Sequence, residues 1–172
     1  MADPQDLYTL AQDFLAACEG SLDAIPSYDA TLAGAPERSF VTFQKAILDC
    51  CPQLTVNVGP LTEGASAPQP PKTSVARINR ATLIATIVRC VPTDAPANPG
   101  DSAEAARQVY ADRWALWNGI YTRINDGLLF SKCGNVIWQG MTPIPGENSG
   151  ECAGSVLTLS VSLDGYTEAV GT

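Results

Sequence analysis

Residues 50–91 read CCPQLTVNVGPLTEGASAPQPPKTSVARINRATLIATIVRCV. Leu54, Val56 and Val58 alternate with Thr55 and Asn57, the period of a strand with one apolar face. The Pro- and Gly-rich stretch 59–71 reads as a loop. Residues 72–91 then run for twenty positions without Gly or Pro. Thr82, Ile84, Thr86, Ile87 and Val88 give the run a β-branched content that favours strand over helix. From Ala81 it is nearly continuously apolar, as in a strand covered on both faces. Twenty extended residues span about 66 Å, whereas a compact domain of this size is about 40 Å across. The run is therefore expected to divide. Residues 81–91 form a core strand, and 59–80 form a projecting loop or hairpin arm.

Around this stretch the chain offers two helices and further strands. Asp3 can cap a first helix and Pro4 suits its first position. Leu7, Leu10, Ala11, Phe14, Leu15, Cys18 and Leu22 follow at helical spacing. SFVTFQKAIL (39–48) reads as a strand. Asp101 with Glu104 is a capping-box variant that opens a second helix, and Gly127 ends it. That helix carries Ala106, Val109, Tyr110, Trp114, Trp117, Ile120, Tyr121, Ile124 and Leu128, a wide apolar stripe expected to pack into the core. Residues 134–142 and 155–163 are strands. The second alternates Leu157, Leu159, Val161 and Leu163 with Ser and Thr, so one of its faces is expected to meet water. The order α-β-β-β-α-β-β gives an α+β class, a mostly antiparallel sheet flanked by two main helices. A length of 172 residues suits a single domain, 1–172.

Charge is uneven. Residues 1–64 hold nine acids and two bases, whereas 72–91 hold Lys72, Arg77, Arg80 and Arg89 and no acid. The total of −8 argues against nucleic acid as a bound partner. The basic ribbon is either a solvated strand face or a surface that pairs with an acidic neighbouring copy. No apolar run is long enough to span a membrane. The first residues lack a signal-peptide pattern, so a cytoplasmic site of synthesis is expected.

There is no histidine, which removes Ser–His and Cys–His nucleophiles and the commonest metal ligand. No phosphate-binding glycine loop or nucleophile elbow occurs. Asp94 with Asp101, and Glu147 with Glu151, are the carboxylate pairs within reach of one another in sequence, and both read as solvated loop acids. Cys18 and Cys90 read as small core residues. A disulfide between Cys133 and Cys152 would need an oxidising medium. A zinc site from Cys50, Cys51, Cys133 and Cys152 lacks ligand spacing. Trp138 reads equally as core or as a partner's anchor. The expectation is a non-enzymatic protein with no cofactor and no metal.

Several stretches together resemble a known family. They are the Cys–Cys turn into QLTVNV, the Pro/Gly loop, the long strand ending in VRCVPT, the helix opened by DSAEAA, and the closing strands WQGMTPI and SVLTLSVSL. In this order they resemble the neck proteins of long-tailed bacteriophages of actinobacteria, and especially their tail terminators, similar to the lambda type. The resemblance implies an α+β fold and a hexameric ring in the virion, built in the host cytoplasm. Such a ring ends the tail tube of major tail protein and meets the head-side connector or stopper. Genomic DNA passes through an acidic lumen without specific binding. No catalytic residue is implied. A ring needs two unlike contact patches, and the basic arm, with Lys72, Val75, Arg77, Ile78 and Arg80, is the expected subunit interface. Alternatives are a stopper or head-completion protein, a cytoplasmic binding module with an apolar cleft, and a carboxylate hydrolase.

Overall fold

The computed structural model describes residues 4–25, 34–42, 52–63, 78–90, 99–144 and 152–163. Helix α1 (Pro4–Asp23) and helix α2 (Pro99–Asn125) accompany strands β1 (Arg38–Thr42), β2 (Gln53–Glu63), β3 (Ile78–Cys90), β4 (Val136–Ile144) and β5 (Cys152–Ser162). The order is α-β-β-β-α-β-β and the class α+β, as the sequence pattern implies. The strands form one sheet in the order β1-β2-β3-β5-β4. β1 runs parallel to β2, and the other pairs are antiparallel.

Alternation fixes which face is which. Leu54 and Val56 of β2 stand in register with Ile87 and Ala85 of β3; Ala85 and Leu83 in turn face Leu157 and Leu159 of β5. These residues form one buried cluster with Leu10, Phe14, Cys18 and Leu22 of α1 and with Ala115, Leu116 and Ile120 of α2. Both helices therefore cover the same face of the sheet. α1 packs over β1 and β2, while α2 packs over β5. Each fully buried Leu, Ile or Phe in this layer contributes about 1.5–3 kcal/mol.

Three local readings change. α2 begins at Pro99, a favoured first position, rather than at an Asp101 cap. β2 does not stop at Gly59: it crosses Gly59–Pro60 through a register shift and continues to Glu63. A proline has no N–H to give a ladder, and a bulge is where a strand tolerates it. The Ser face of β5 is not fully wet, since Ser160 and Ser162 are buried and Thr158 is half-buried. Ser160 stands in register between Thr82 and Ile137 on a strand flanked on both sides, so its short side chain is shielded. Gly127 does end α2. Its N–H reaches the Ile124 carbonyl and the Leu128 N–H reaches that of Arg123, with Gly127 at φ 69°, a Schellman motif.

Close approach constrains two glycines. Gly119 of α2 lies against Ser21 of α1, where an added Cβ would sit 2.6 Å from the Ser21 Cβ. At Gly154 of β5 a Cβ would run into the Ile87 carbonyl oxygen and lie 3.1 Å from the Val88 Cα, both backbone atoms of the neighbouring strand. Backbone cannot swing aside as a flexible side chain can. Gly154→Ala is expected to cost about 1–3 kcal/mol, the scale of core overpacking, read as a lower urea midpoint; an unchanged midpoint would show that β3 and β5 separate freely there.

Candidate interaction surface

α2 has two faces, and the stripe expected in the core is divided between them: Ile120 is buried and Ile124 packs against the core, while the aromatic residues do not. Toward the sheet and α1 it presents Ala105, Gln108, Asp112, Ala115, Leu116 and Ile120, all buried. The aromatic residues, at i, i+4, i+7 and i+11, lie on the opposite side. Tyr110 and Trp114 are each 66% exposed, Tyr121 50% and Trp117 39%. This corrects the expectation that Tyr110, Trp114, Trp117 and Tyr121 pack inside. Helical spacing is the same for an inward and an outward stripe. The cue that separates them is the parallel run of small residues and paired polar groups, which lets α2 lie close to the sheet.

The stripe continues onto β4. Trp138, half-buried, tilts against Trp117 at 4.6 Å between ring centroids and against Tyr121 at 6.0 Å. It is both core and surface, joining the helix to the outer strand. Arg113 lies over the Tyr110 ring at 5.5 Å and donates from Nε to Ser155 Oγ at 3.1 Å, so one end of the stripe is held to β5. Taking about 150–250 Å² per aromatic side chain, the four helix residues leave about 500 Å² of aromatic surface in water. The largest apolar patch on a protein of this kind is commonly of this size and is often functional.

Beneath the stripe α2 is anchored by a buried ion pair. Arg89 belongs to the helix side of β3, in phase with Ala81, Leu83, Ala85 and Ile87. Its Nε donates to Asp112 Oδ2 at 2.8 Å and its Nη2 to Asp112 Oδ1 at 3.2 Å. Gln108 Nε2 donates to the same Oδ1 at 3.1 Å, and Arg89 Nη2 also reaches the Gly34 carbonyl. Arg89 therefore leaves the basic ribbon in which the sequence placed it. The sign of this was available: one charge on the apolar phase of β3 and one on the small-residue face of α2.

Of the five residues expected at a subunit interface, two are described. Lys72, Val75 and Arg77 lie outside the described residues. Ile78 opens β3 opposite Glu63. Arg80 is inside the sheet, flanked by Thr62 on β2 and Ser162 on β5. Its Nε and Nη2 are buried and make no hydrogen bond. Such groups cost stability, so Arg80→Met is expected to raise the unfolding free energy by about 1 kcal/mol; a loss of stability on this substitution would show that the guanidinium is satisfied.

Other candidate chemistry is thin among the described residues. They contain no group of three metal-ligating side chains. Cys133 and Cys152 are not joined in a disulfide, and Cys152 stands opposite Cys90 in the β3–β5 register. Burial raises the Cys133 thiol to about 11 and the Cys18 thiol further still. Cys50 and Cys51, both loop carboxylate pairs except the backbone of Asp101, and Asp3 lie outside the described residues. A cleft of about 380 Å³ between α1 and the turn after α2 is lined by Asp13, Arg123, Leu129, Phe130 and Lys132, among others. No helix of the described residues is long and apolar enough to cross a membrane. No protein-family model and no curated protein matches this chain at a significant level.

Proposed function

We propose that this chain is a structural subunit of a phage neck, a tail terminator that assembles into a six-membered ring, caps the tail tube and meets the head-side connector. The observation that carries the reading is the exposed aromatic surface of α2 and Trp138 beside the edge of an open sheet. A large apolar patch on a rigid helix suits a permanent contact better than a substrate pocket. The sheet with both helices on one face agrees with the α+β plan that the resemblance implies. Under this reading the protein is not an enzyme, uses no cofactor and works in the virion. Its net charge of −8 suits a lumen through which DNA slides without binding. The test is to add purified chain to polymerising major tail protein from the same virion. Elongation should stop, with the chain at one end of each tube. Continued growth with bare ends would overturn the reading.

A further inference from the structure

Cys90 is the last residue of β3 and Cys152 the first of β5, and the two are partners in the antiparallel register. Strand period says how they meet. The Ser162 N–H donates to the Asn135 carbonyl at 2.7 Å, so the backbone groups of Ser162 point toward the β4 side and away from β3. The register of β3 with β5 is unbroken from Arg80↔Ser162 to Cys90↔Cys152, and every second residue of β5 repeats that orientation. Cys152 shares the phase of Ser162. Cys90 and Cys152 are therefore a non-hydrogen-bonded pair, the closer of the two kinds, with Cα atoms about 4.5 Å apart and side chains on one face. A disulfide spans Cα separations of about 4.4–6.8 Å. At the next pair of the same kind, Val88 with Gly154, the strands lie so close that a Cβ on Gly154 would sit 3.1 Å from the Val88 Cα. Period also turns both cysteines to the sheet face away from the helices, opposite in phase to Arg89 and Leu157. Cys90 is half-buried and Cys152 is buried, and both are thiols in this structure.

We propose that Cys90 and Cys152 are a cross-strand dithiol that closes to a disulfide when the chain meets an oxidising medium. The oxidant is a low-molecular-weight disulfide of the glutathione class. Cys90, the more accessible of the two, attacks one sulfur of that molecule as a thiolate, and one small thiolate leaves. Cys152, as a thiolate, then attacks the Cys90 sulfur of the mixed disulfide, and the second small thiolate leaves. The two protein thiols give up two protons and two electrons, and the small disulfide is reduced to two thiols. The other described cysteines, Cys18 and Cys133, are poorer candidates. Neither lies on a strand of the sheet, so neither has a cross-strand partner. Burial raises the Cys133 thiol to about 11 and the Cys18 thiol further, which keeps both protonated and slow to exchange. The bond closes a covalent loop around α2 and β4, the elements that carry the aromatic surface, and pins the end of β3 to the start of β5. The proposal rests on the sheet register alone and does not depend on the neck reading.

Redox titration of the folded full chain tests it, with reduced and oxidised glutathione as the couple. After alkylation and proteolysis, mass spectrometry of the oxidised chain should find the Cys90 peptide joined to the Cys152 peptide. The oxidised chain should melt about 10 °C above the reduced one, the scale expected when a long loop is closed, and dithiothreitol should reverse the shift. Cys90→Ala and Cys152→Ala should each abolish the crosslink and the reversible shift together. The peptide map is read on the wild-type chain, so it decides the matter even where a variant folds poorly. Cys90 and Cys152 that both stay open to alkylation in oxidised glutathione would overturn the proposal. So would a bond from Cys152 to Cys133, or a glutathione adduct on Cys90 that Cys152 does not displace.

Discussion

Asp112→Ala is expected to remove about 3–5 kcal/mol of folding stability, the loss measured when one partner of a buried ion pair is taken away. The Arg89 and Asp112 side chains are each 2% exposed. Removing the carboxylate leaves the guanidinium bonded to the Gly34 carbonyl, in a place that water does not reach. Domains of this kind hold about 5–15 kcal/mol in total, so the variant should sit near the edge of unfolding at room temperature. The double replacement Arg89→Met with Asp112→Leu should recover most of the loss, since a pair of apolar side chains of similar volume removes both charges together. Urea denaturation of the three proteins measures this. A single variant that loses less than about 1 kcal/mol would mean that Arg89 finds other partners and that α2 is not anchored by the pair.

Trp114→Ala should show the opposite profile, with little change in stability and a large change in assembly. The indole is 66% exposed, so its truncation removes little from the core. At the centre of an interface a tryptophan contributes about 2–4 kcal/mol, which corresponds to roughly 30- to 1,000-fold in association. The pair of readouts matters. A residue that serves only the fold would lower the melting midpoint and leave association untouched. Sedimentation and thermal melting on the same samples separate the two, and a variant that assembles as the parent does would remove Trp114 from the contact.

What the sequence made legible was governed by period. Both helices, the alternating core phase of β2, β3 and β5, the C-cap at Gly127 and the α+β order all follow from local pattern. Three of the misreadings share one cause, which is that period does not tell inside from outside. The stripe of Tyr110, Trp114, Trp117 and Tyr121 has core spacing and faces water. Ser160 and Ser162 of β5 have surface spacing and are buried. Arg89 looked like part of a basic ribbon because its neighbours in sequence are basic, yet its phase along β3 points it at α2. In each case the deciding information is the second element that packs there. The aromatic surface was therefore visible as a motif and invisible as a site. The residues 64–77, on which most of the expected interface was placed, lie outside the described structure; the surface argued for now rests on α2 and β4.

The central claim is that this chain is built to join copies of itself into a closed ring. Native mass measurement of the purified full chain tests it most directly. The account predicts a single species near 109 kDa, about six times the 18.1 kDa chain, with no populated two-fold dimer. A stable 18.1 kDa monomer across the whole accessible concentration range, or a dimer that does not grow, would contradict it.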